Sequence, residues 1–389
     1  MGLIDFSSAQ NYISKLENRS ERERLLSQFL TMPYQRINDS PSLKHYTDWN
    51  RLEALNLEIK DINIKEPSKS ILDQEYKILT IPQATKLDGF IKIEDKPENA
   101  LIKADEHKLV SLVLALSKKT VIDLSAITPR KLLIYHNSSS NSLIPANIEL
   151  KIPEGENVDV VYFSETDDQN SMTSSLISFV VPQNSTLNLS IISLSAHSFI
   201  YTKGLVKGTI NANIFSSKTK LTHIDYYVDL DEKAQSTFSS RAIGIEDNNV
   251  DIRVAVNHLG VQSRSEGTLR GISTDNSLVI VRGNAIISES GIDSSTSIIG
   301  KAYTIGKDSK AIVAPMLEVK TGKVQMAKHS ASISKVPEDL IFYLESRGFS
   351  RKEAESLIIK GFMIDENDPK FLVDLINEIL TERKILVSV

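Results

Sequence analysis

The chain has 389 residues, of which 41% are hydrophobic and 24% are charged, as is usual for a globular protein of two or three domains or one elongated domain. Its formal net charge is −5, which argues against nucleic acid or an anionic membrane as its partner, because binders of both favour basic surfaces. It contains no cysteine, which excludes disulfides, cysteine-ligated metals and thiol nucleophiles.

Targeting and membrane signals are missing from the sequence. The first 20 residues lack the apolar core of a signal peptide. The longest apolar stretches are shorter than the roughly 20 residues of a membrane helix. We therefore expect a cytoplasmic protein with no membrane partner.

The first region, residues 1–118, is predicted to form an N-terminal domain of mixed, partly helical structure. Residues 16–30 alternate Arg and Glu with apolar positions, and Pro33 follows, which predicts one helix. Residues 106–117 predict a second helix with leucines and a valine on one face. The stretch between them is expected to be irregular.

The second region, residues 119–335, is predicted to be the β core. Short runs alternate apolar and polar residues, most clearly at Val250, Ile252, Val254 and Val256, which indicates strands with one buried face. Many such strands fit a sandwich, a barrel or a β-solenoid. Asn-Gly turns are absent and Asp-Gly occurs only at residues 88–89, so tight hairpins are scarce and a parallel solenoid is favoured.

The third region, residues 336–389, is predicted to be a C-terminal domain of three helices. Gly348 supplies a left-handed stop for the first helix, and Ser350 with Glu353 fits a capping box for the second. Asp368-Pro369 precedes the third helix. The apolar stripe of that helix consists of Leu372, Leu375, Ile376, Ile379 and Leu380.

Motifs of known catalytic chemistry are absent from the chain. There is no P-loop, no His-Glu-x-x-His and no Gly-x-Ser-x-Gly, so we predict that the protein is not an enzyme. The alternative enzyme class is a β-helix protein acting on carbohydrate. It would need Asp, Lys or Arg on adjacent rungs and aromatic residues that stack on sugars. Aromatic residues are only 6%, and the single tryptophan, Trp49, lies outside the β region, which disfavours this alternative.

Two histidines are candidates for a functional role. His258 continues the parity of the buried valines before it, and a buried histidine satisfied by backbone hydrogen bonds is the favoured interpretation. His329 lies just before the helical region. A single histidine is a weak metal signal, because a site usually needs three or four ligands, but a partner chain could supply the rest.

Several motifs follow one another in the last third of the chain. They are Asn257-His258-x-Gly260, Ser263-x-Ser265, Arg270-Gly271, Pro315-x-Leu317-Glu318-Val319, His329-Ser330-Ala331-Ser332 and Glu338-Asp339-Leu340-x-Phe342-Tyr343-Leu344-x-Ser346-Arg347-Gly348. In this order they resemble the motifs of the SufB/SufD family of iron–sulfur cluster assembly proteins. A weaker echo occurs at Tyr46-Thr47-Asp48.

The resemblance implies a right-handed parallel β-helix between helical end domains. It implies a non-catalytic scaffold that pairs with a SufB-type subunit or with itself and docks the ABC-type ATPase SufC on its C-terminal helices. The docking region would include Phe342, Tyr343, Leu344, Arg347 and Gly348. The chain would hold no cofactor alone, and an iron–sulfur cluster would be present only transiently in the complex.

The resemblance also suggests a subtype. SufB carries cysteines and a Glu after the motif histidine, whereas this chain has no cysteine and has Ser330 at that position, so it looks SufD-like. His329 is then a candidate iron ligand at the subunit interface, shared with the partner chain, because a neutral imidazole suits borderline metals. A structural role for His329 is the alternative, and a purely structural adaptor is a third class of function.

Overall fold

The computed structural model describes residues 2–34, 47–62, 66–67, 75–82 and 89–382. Within them the chain forms two nine-stranded sheets, and from β3 onward successive strands alternate between the sheets. Sheet A contains β1 (Lys77–Ile81), β4 (Lys131–Ser138), β6 (Asn157–Thr166), β8 (Thr186–Leu194), β10 (Thr209–Ser216), β12 (Gln235–Gly244), β14 (Arg264–Thr274), β16 (Ser294–Ile305) and β18 (Val324–Ser334). Sheet B contains β2 (Ile91–Glu94), β3 (Lys119–Asp123), β5 (Leu143–Lys151), β7 (Met172–Val181), β9 (His197–Val206), β11 (Leu221–Leu230), β13 (Asn249–His258), β15 (Leu278–Ile287) and β17 (Lys310–Val319).

The strands wind into a parallel β-solenoid of about seven turns, with one strand of each sheet per turn. Neighbouring strands pair in parallel throughout the described residues, except that β2 pairs antiparallel with β3. The prediction of a mainly β protein built on a parallel β-helix, with helices at both termini, is therefore confirmed. Long-range parallel pairing explains why hairpin signals are scarce in the sequence.

Side chains at alternate positions of each strand fill the space between the two sheets. In β13, Val250, Ile252, Val254 and Val256 are fully buried and belong to one apolar cluster that runs along the solenoid. Burying each such side chain contributes roughly 1.5–3 kcal/mol. Because successive rungs stack in register, the same column recurs from turn to turn, and the core is continuous.

The N-terminal helices cover the outer face of sheet B. They are α1 (Phe6–Ile13), α2 (Arg19–Thr31), the short α3 (Asn50–Glu53) and α4 (Lys108–Leu116). Arg22 of α2 is fully buried and donates to the carbonyl oxygens of Leu114, Ala115 and Ser117, which satisfies the C-terminal end of α4. Its other terminal nitrogen lies 2.7 Å from the Asp95 carboxylate.

The C-terminal helices cover the outer face of sheet A. They are α5 (Glu338–Glu345), α6 (Arg351–Met363) and α7 (Lys370–Glu382). The predicted stop at Gly348 has a φ of +97°, and the Ser350–Glu353 capping box is present. The five residues of the predicted stripe in α7 are all buried. They pack against outward-facing apolar residues of sheet A such as Tyr135, Phe163 and Phe215.

Several elements before Lys119 differ from the sequence prediction. The helix expected at residues 16–30 is α2, which begins at Arg19, and α4 corresponds to the helix expected at 106–117. The interval expected to be irregular contains α3 and strands β1 and β2, which extend the two sheets by one strand each. These strands are only five and four residues long, too short for a periodic signal.

Candidate functional site

The solenoid ends in two unpaired strands, β17 in sheet B and β18 in sheet A. Within the described residues neither has a neighbour on its far side. In β18 every side chain from Lys328 to Ser334 is exposed, whereas the equivalent strands of inner turns are mostly buried. A strand edge of this kind presents unpaired N–H and C=O groups and is a template for pairing with another chain. We call β17 and β18 together the open end.

His329 lies on β18 opposite Ile298 of β16. Ile298 is 1% exposed and belongs to the core between the sheets. Residues paired across in-register parallel strands lie on the same side of the sheet, so His329 is on the inward-facing side, yet it is exposed because no further turn covers it. An irregularity in the pairing of β16 with β18, at Ser294 and Ser295, explains why His329 departs from the parity of Val324.

The open end also exposes apolar side chains. Ile333 on β18 is 48% exposed and Val319 on β17 is 40% exposed. Ile299, on the outer face of the neighbouring β16, is 55% exposed. Glu318, another of the motif positions, is exposed on β17, and its carboxylate lies 3.2 Å from the Lys320 ammonium. Exposed aliphatic residues beside an unpaired sheet edge are typical of a surface that is buried in an assembly.

His258 occupies a very different environment, at the end of β13 in the middle of the solenoid. It is fully buried, with Nδ1 2.7 Å from the Ser263 hydroxyl and Nε2 2.8 Å from the Ser265 hydroxyl. Burial lowers the pKa of His258 to about 4, so the ring is neutral at physiological pH. The partners are side-chain hydroxyls and not the expected backbone groups. The Ser-x-Ser motif is therefore the hydrogen-bonding partner of the motif histidine.

Asn257 and Gly260 support the same turn. The Asn257 amide donates to the Asp229 carboxylate at 2.7 Å on the neighbouring rung. A Cβ at position 260 would lie 2.1 Å from the backbone nitrogen of Glu232, so only glycine fits at this close approach. Both residues hold successive turns together.

Arg270 anchors the C-terminal helices to sheet A. Its guanidinium lies 2.7 Å from Oδ1 of Asp365, in the loop between α6 and α7. Arg241, its neighbour on β12, contacts Oδ2 of Asp365 at 2.6 Å and Oδ1 of Asp368 at 2.8 Å. Burial alone raises the pKa of the Asp365 carboxyl, but hydrogen bonds from Arg270 and Arg241 hold it below its usual value. We call these four residues the clamp.

Gly271, which follows Arg270, lies on β14 between Ala242 and Ala302 of the flanking strands.

Arg241 and Asp365 were not singled out from the sequence, and Asp368 was named only at the start of the third helix. A charged residue at an outward strand position normally indicates solvent, and Arg241 is only 1% exposed because the helices fold back over it. Two successive rungs with arginine at the same register could have suggested a shared acidic partner, but only once the register was known.

The Tyr46-Thr47-Asp48 element lies at the junction between the N-terminal helices and sheet B. Tyr46 is outside the described residues. The Thr47 hydroxyl donates to Oδ2 of Asp251 at 2.7 Å and lies 2.9 Å from Nδ1 of His223. This element therefore joins the helices to the sheet, as Arg270 does on the other face.

The predicted docking region forms an exposed surface on the C-terminal helices. On α5, Phe342 is 73% exposed and Tyr343 is 54% exposed, and the Arg347 guanidinium lies 5.3 Å from the centre of the Tyr343 ring. Leu344 is partly buried and Gly348 ends the turn. Phe349 and Leu357, also on the C-terminal helical region, are 41% and 43% exposed. Exposed aromatic residues are typical of interaction surfaces.

A polar groove of about 1050 Å³ runs over the outer face of sheet A beside the clamp. Three of its five carboxylates are engaged by neighbours: Asp365 and Asp368 bind arginines, and Asp159 accepts a hydrogen bond of 2.7 Å from Asn188. In the part of the chain that the structure describes, no three His, Cys, Asp or Glu side chains are grouped as a metal site. Nor is any described helix long and apolar enough to cross a membrane.

Comparison with known proteins gives a consistent result. Residues 135–362 match the family model of the SUF system FeS cluster assembly, SufBD core domain. Relatives named iron-sulfur cluster assembly SufBD family proteins include one from Galdieria sulphuraria, 38% identical over 105 residues, 27% of this chain and 47% of the relative. One from Archaeoglobus fulgidus is 33% identical over 159 residues, 40% of this chain and 42% of the relative. One from Porphyra purpurea is 32% identical over 136 residues, 34% of this chain and 27% of the relative.

The matched segments thus span about half or less of these relatives, which are named as assembly proteins and not as enzymes. The family model, in contrast, covers more than half of this chain and takes in the rungs from β4 onward, the open end and α6. The chain belongs to the SufBD family of iron–sulfur cluster assembly proteins.

Proposed function

We propose that this protein is a non-catalytic scaffold subunit of a SUF-type assembly complex, in which its open end pairs with a second SufBD-type subunit. The observation that carries this proposal is the last turn itself. In the described part of the chain both sheets end on an unpaired edge strand, and His329 lies on the inward side of β18. Pairing with a SufB-type subunit or with another copy would continue both sheets and cover the exposed Val319 and Ile333.

The iron–sulfur cluster is the cargo of this proposal and not a resident cofactor. His329 supplies one imidazole at the interface, and the partner chain supplies the remaining ligands. The chain has no cysteine, so sulfur must be held by another subunit, which supports a SufD-like role. His258 takes no part, because both of its ring nitrogens are engaged by buried serines.

The exposed aromatic patch on α5 is the proposed docking surface for a SufC-type ATPase. Phe342 and Tyr343 make few contacts within the chain, so removing them leaves the fold intact. The clamp ties the same helical unit to sheet A through Asp365 and Asp368. A movement of the docked ATPase would thus reach the solenoid through the clamp.

The docking proposal is tested by co-purification with a SufC-type ATPase. We expect the double substitution Phe342→Ser and Tyr343→Ser to weaken binding at least about tenfold, since exposed aromatic residues dominate interface energies. Val180→Ser, which changes a 41% exposed residue on β7, is the matched control and should bind as the unchanged chain does. Undiminished binding by the double variant would refute docking on α5.

The role of His329 is tested in the assembled complex. His329→Ala should lower the iron and sulfide bound after anaerobic reconstitution, while complex formation and the circular dichroism spectrum stay unchanged. Ser332→Ala, on the same exposed strand, is the control and should leave cluster content unaltered. Equal cluster content in both variants would assign His329 a structural role.

A further inference from the structure

We propose that the open end selects a partner subunit whose own edge strands are acidic, and that it disfavours a second copy of this chain. This inference rests on the proposed function, because it concerns the partner at the same surface. It commits to one occupant, a heterologous chain that carries carboxylates where this chain carries lysines.

Charge is distributed very unevenly along this chain. Residues 301–335, which end β16 and include β17 and β18, contain seven lysines and two carboxylates, a formal net charge of +5. The whole chain carries −5, so the remaining residues carry −10. The last turn is therefore a basic segment in an acidic protein.

The lysines lie where a partner strand would pair. Lys310 begins β17, Lys323 directly precedes β18 and Lys328 lies within β18, and all three are exposed. No carboxylate among the described residues lies within the 4.0 Å ion-pair distance of their ammonium groups. Glu318 is already paired with Lys320. The positive charge at this end is thus available to a partner.

Lysines on edge strands are a known protection against pairing of identical edges. In a twofold dimer the same surface patch meets itself, so each group of lysines would face its own copy. Like charges brought together across an interface oppose association, whereas carboxylates at matching positions favour it. The exposed Val319 and Ile333 still gain from burial, so the surface is suited to association with a complementary chain.

The inference can be tested with this chain alone. The triple variant Lys310→Glu, Lys323→Glu and Lys328→Glu converts the open end into an acidic one. We expect the unchanged chain alone and the variant alone to be monomeric at low ionic strength, about 50 mM salt, in sedimentation equilibrium. Their mixture should form a one-to-one dimer at least about tenfold tighter than either self-association.

Salt dependence distinguishes charge from other causes. The mixed dimer should weaken between about 50 mM and about 500 mM salt, and self-association of the unchanged chain should not weaken, because screening relieves repulsion. The matched control is Lys15→Glu, Lys151→Glu and Lys207→Glu, which reverses three exposed lysines far from the open end and should give no mixed dimer.

Two outcomes would overturn the inference: a mixture that stays monomeric, or an unchanged chain that self-associates at low salt as tightly as the mixture. Self-association abolished by Ile333→Glu would leave the scaffold proposal standing while removing the charge selection. Co-purification of the SufC-type ATPase with the same samples reports the proposed function independently of either result.

Discussion

The middle of the solenoid and its open end are both built from parallel strands, but the middle buries its side chains and the open end exposes them. Around His258 every strand has a neighbour on both sides, polar side chains pair with one another, and alternate residues are fully buried. Around His329 the last strand of each sheet has one neighbour among the described strands, and aliphatic and basic side chains face solvent. The two histidines show the difference most clearly, since one is enclosed and the other is exposed.

The comparison shows that the role of a motif residue depends on which turn of the solenoid it occupies. Asn257, His258 and Gly260 hold neighbouring turns together, and Arg270 fastens the C-terminal helices. His329 is the motif histidine left without a covering turn. The motif residues that hold the fold together are therefore in the middle turns, and the last turn is the one that we propose for pairing.

Acid should have the largest effect, because it protonates buried histidines at the start of α4 and on β4, β9 and β13. Burial lowers the pKa of His107 and His136 to about 3 and that of His197 and His258 to about 4. Between about pH 6.5 and pH 4 the unfolded chain binds more protons than the folded chain, so stability falls as pH falls through this window. Each histidine contributes on the order of 3 kcal/mol over that range.

The measurement is urea unfolding followed by circular dichroism at several pH values. The midpoint should be nearly constant from pH 7 to 8 and should drop steeply below pH 6. A midpoint that is flat down to pH 4 would contradict the assignment of these histidines as buried and neutral.

A substitution in the clamp breaks one contact between sheet A and the C-terminal helices. Arg241→Ala removes a buried charge and leaves the Asp368 side chain, which is 3% exposed, without its positively charged partner, at a cost of roughly 3–5 kcal/mol. We expect faster hydrogen exchange in α6 and α7 and a lower urea midpoint. Arg264→Ala, which changes an exposed arginine on β14, is the control and should change neither. Similar exchange in both variants would show that the clamp contributes nothing to docking of the helices.

Replacing each of the two histidines with alanine compares the stability of the middle of the solenoid with that of the open end. His258→Ala should destabilise the fold by roughly 2–4 kcal/mol, because it leaves a cavity and two buried hydroxyls without their ring partner. His329→Ala should change stability by less than about 0.5 kcal/mol, as is usual for an exposed position. Both values come from urea unfolding at pH 7.5, where the two rings are compared under the same conditions. A larger loss for His329→Ala would mean that the last rung is structural.

Prediction from sequence succeeded where the pattern of apolar or capping residues lies within a single helix or strand. The alternation in β13 and the stripe of α7 each reflect one buried face, so the residues that would be buried were readable in advance. The capping box at Ser350 is equally local. Strands β1 and β2 were missed because four or five residues are too few to show an alternating pattern. They form strands because they pair with β4 and β3. The clamp was missed because its arginines and aspartates are about 95 to 127 residues apart.

The sequence by itself determined the family, the parallel β core and the helical ends, because hydrophobic period, capping and motif order are properties of neighbouring residues. Only the tertiary structure decided what each motif residue does. Stacking in register brings His258 between two serines and Arg241 beneath Asp365, and it leaves His329 on a rung that nothing covers. Burial and partner geometry arise from residues far apart in the chain, and they decide whether a polar side chain supports the fold or remains available to another molecule.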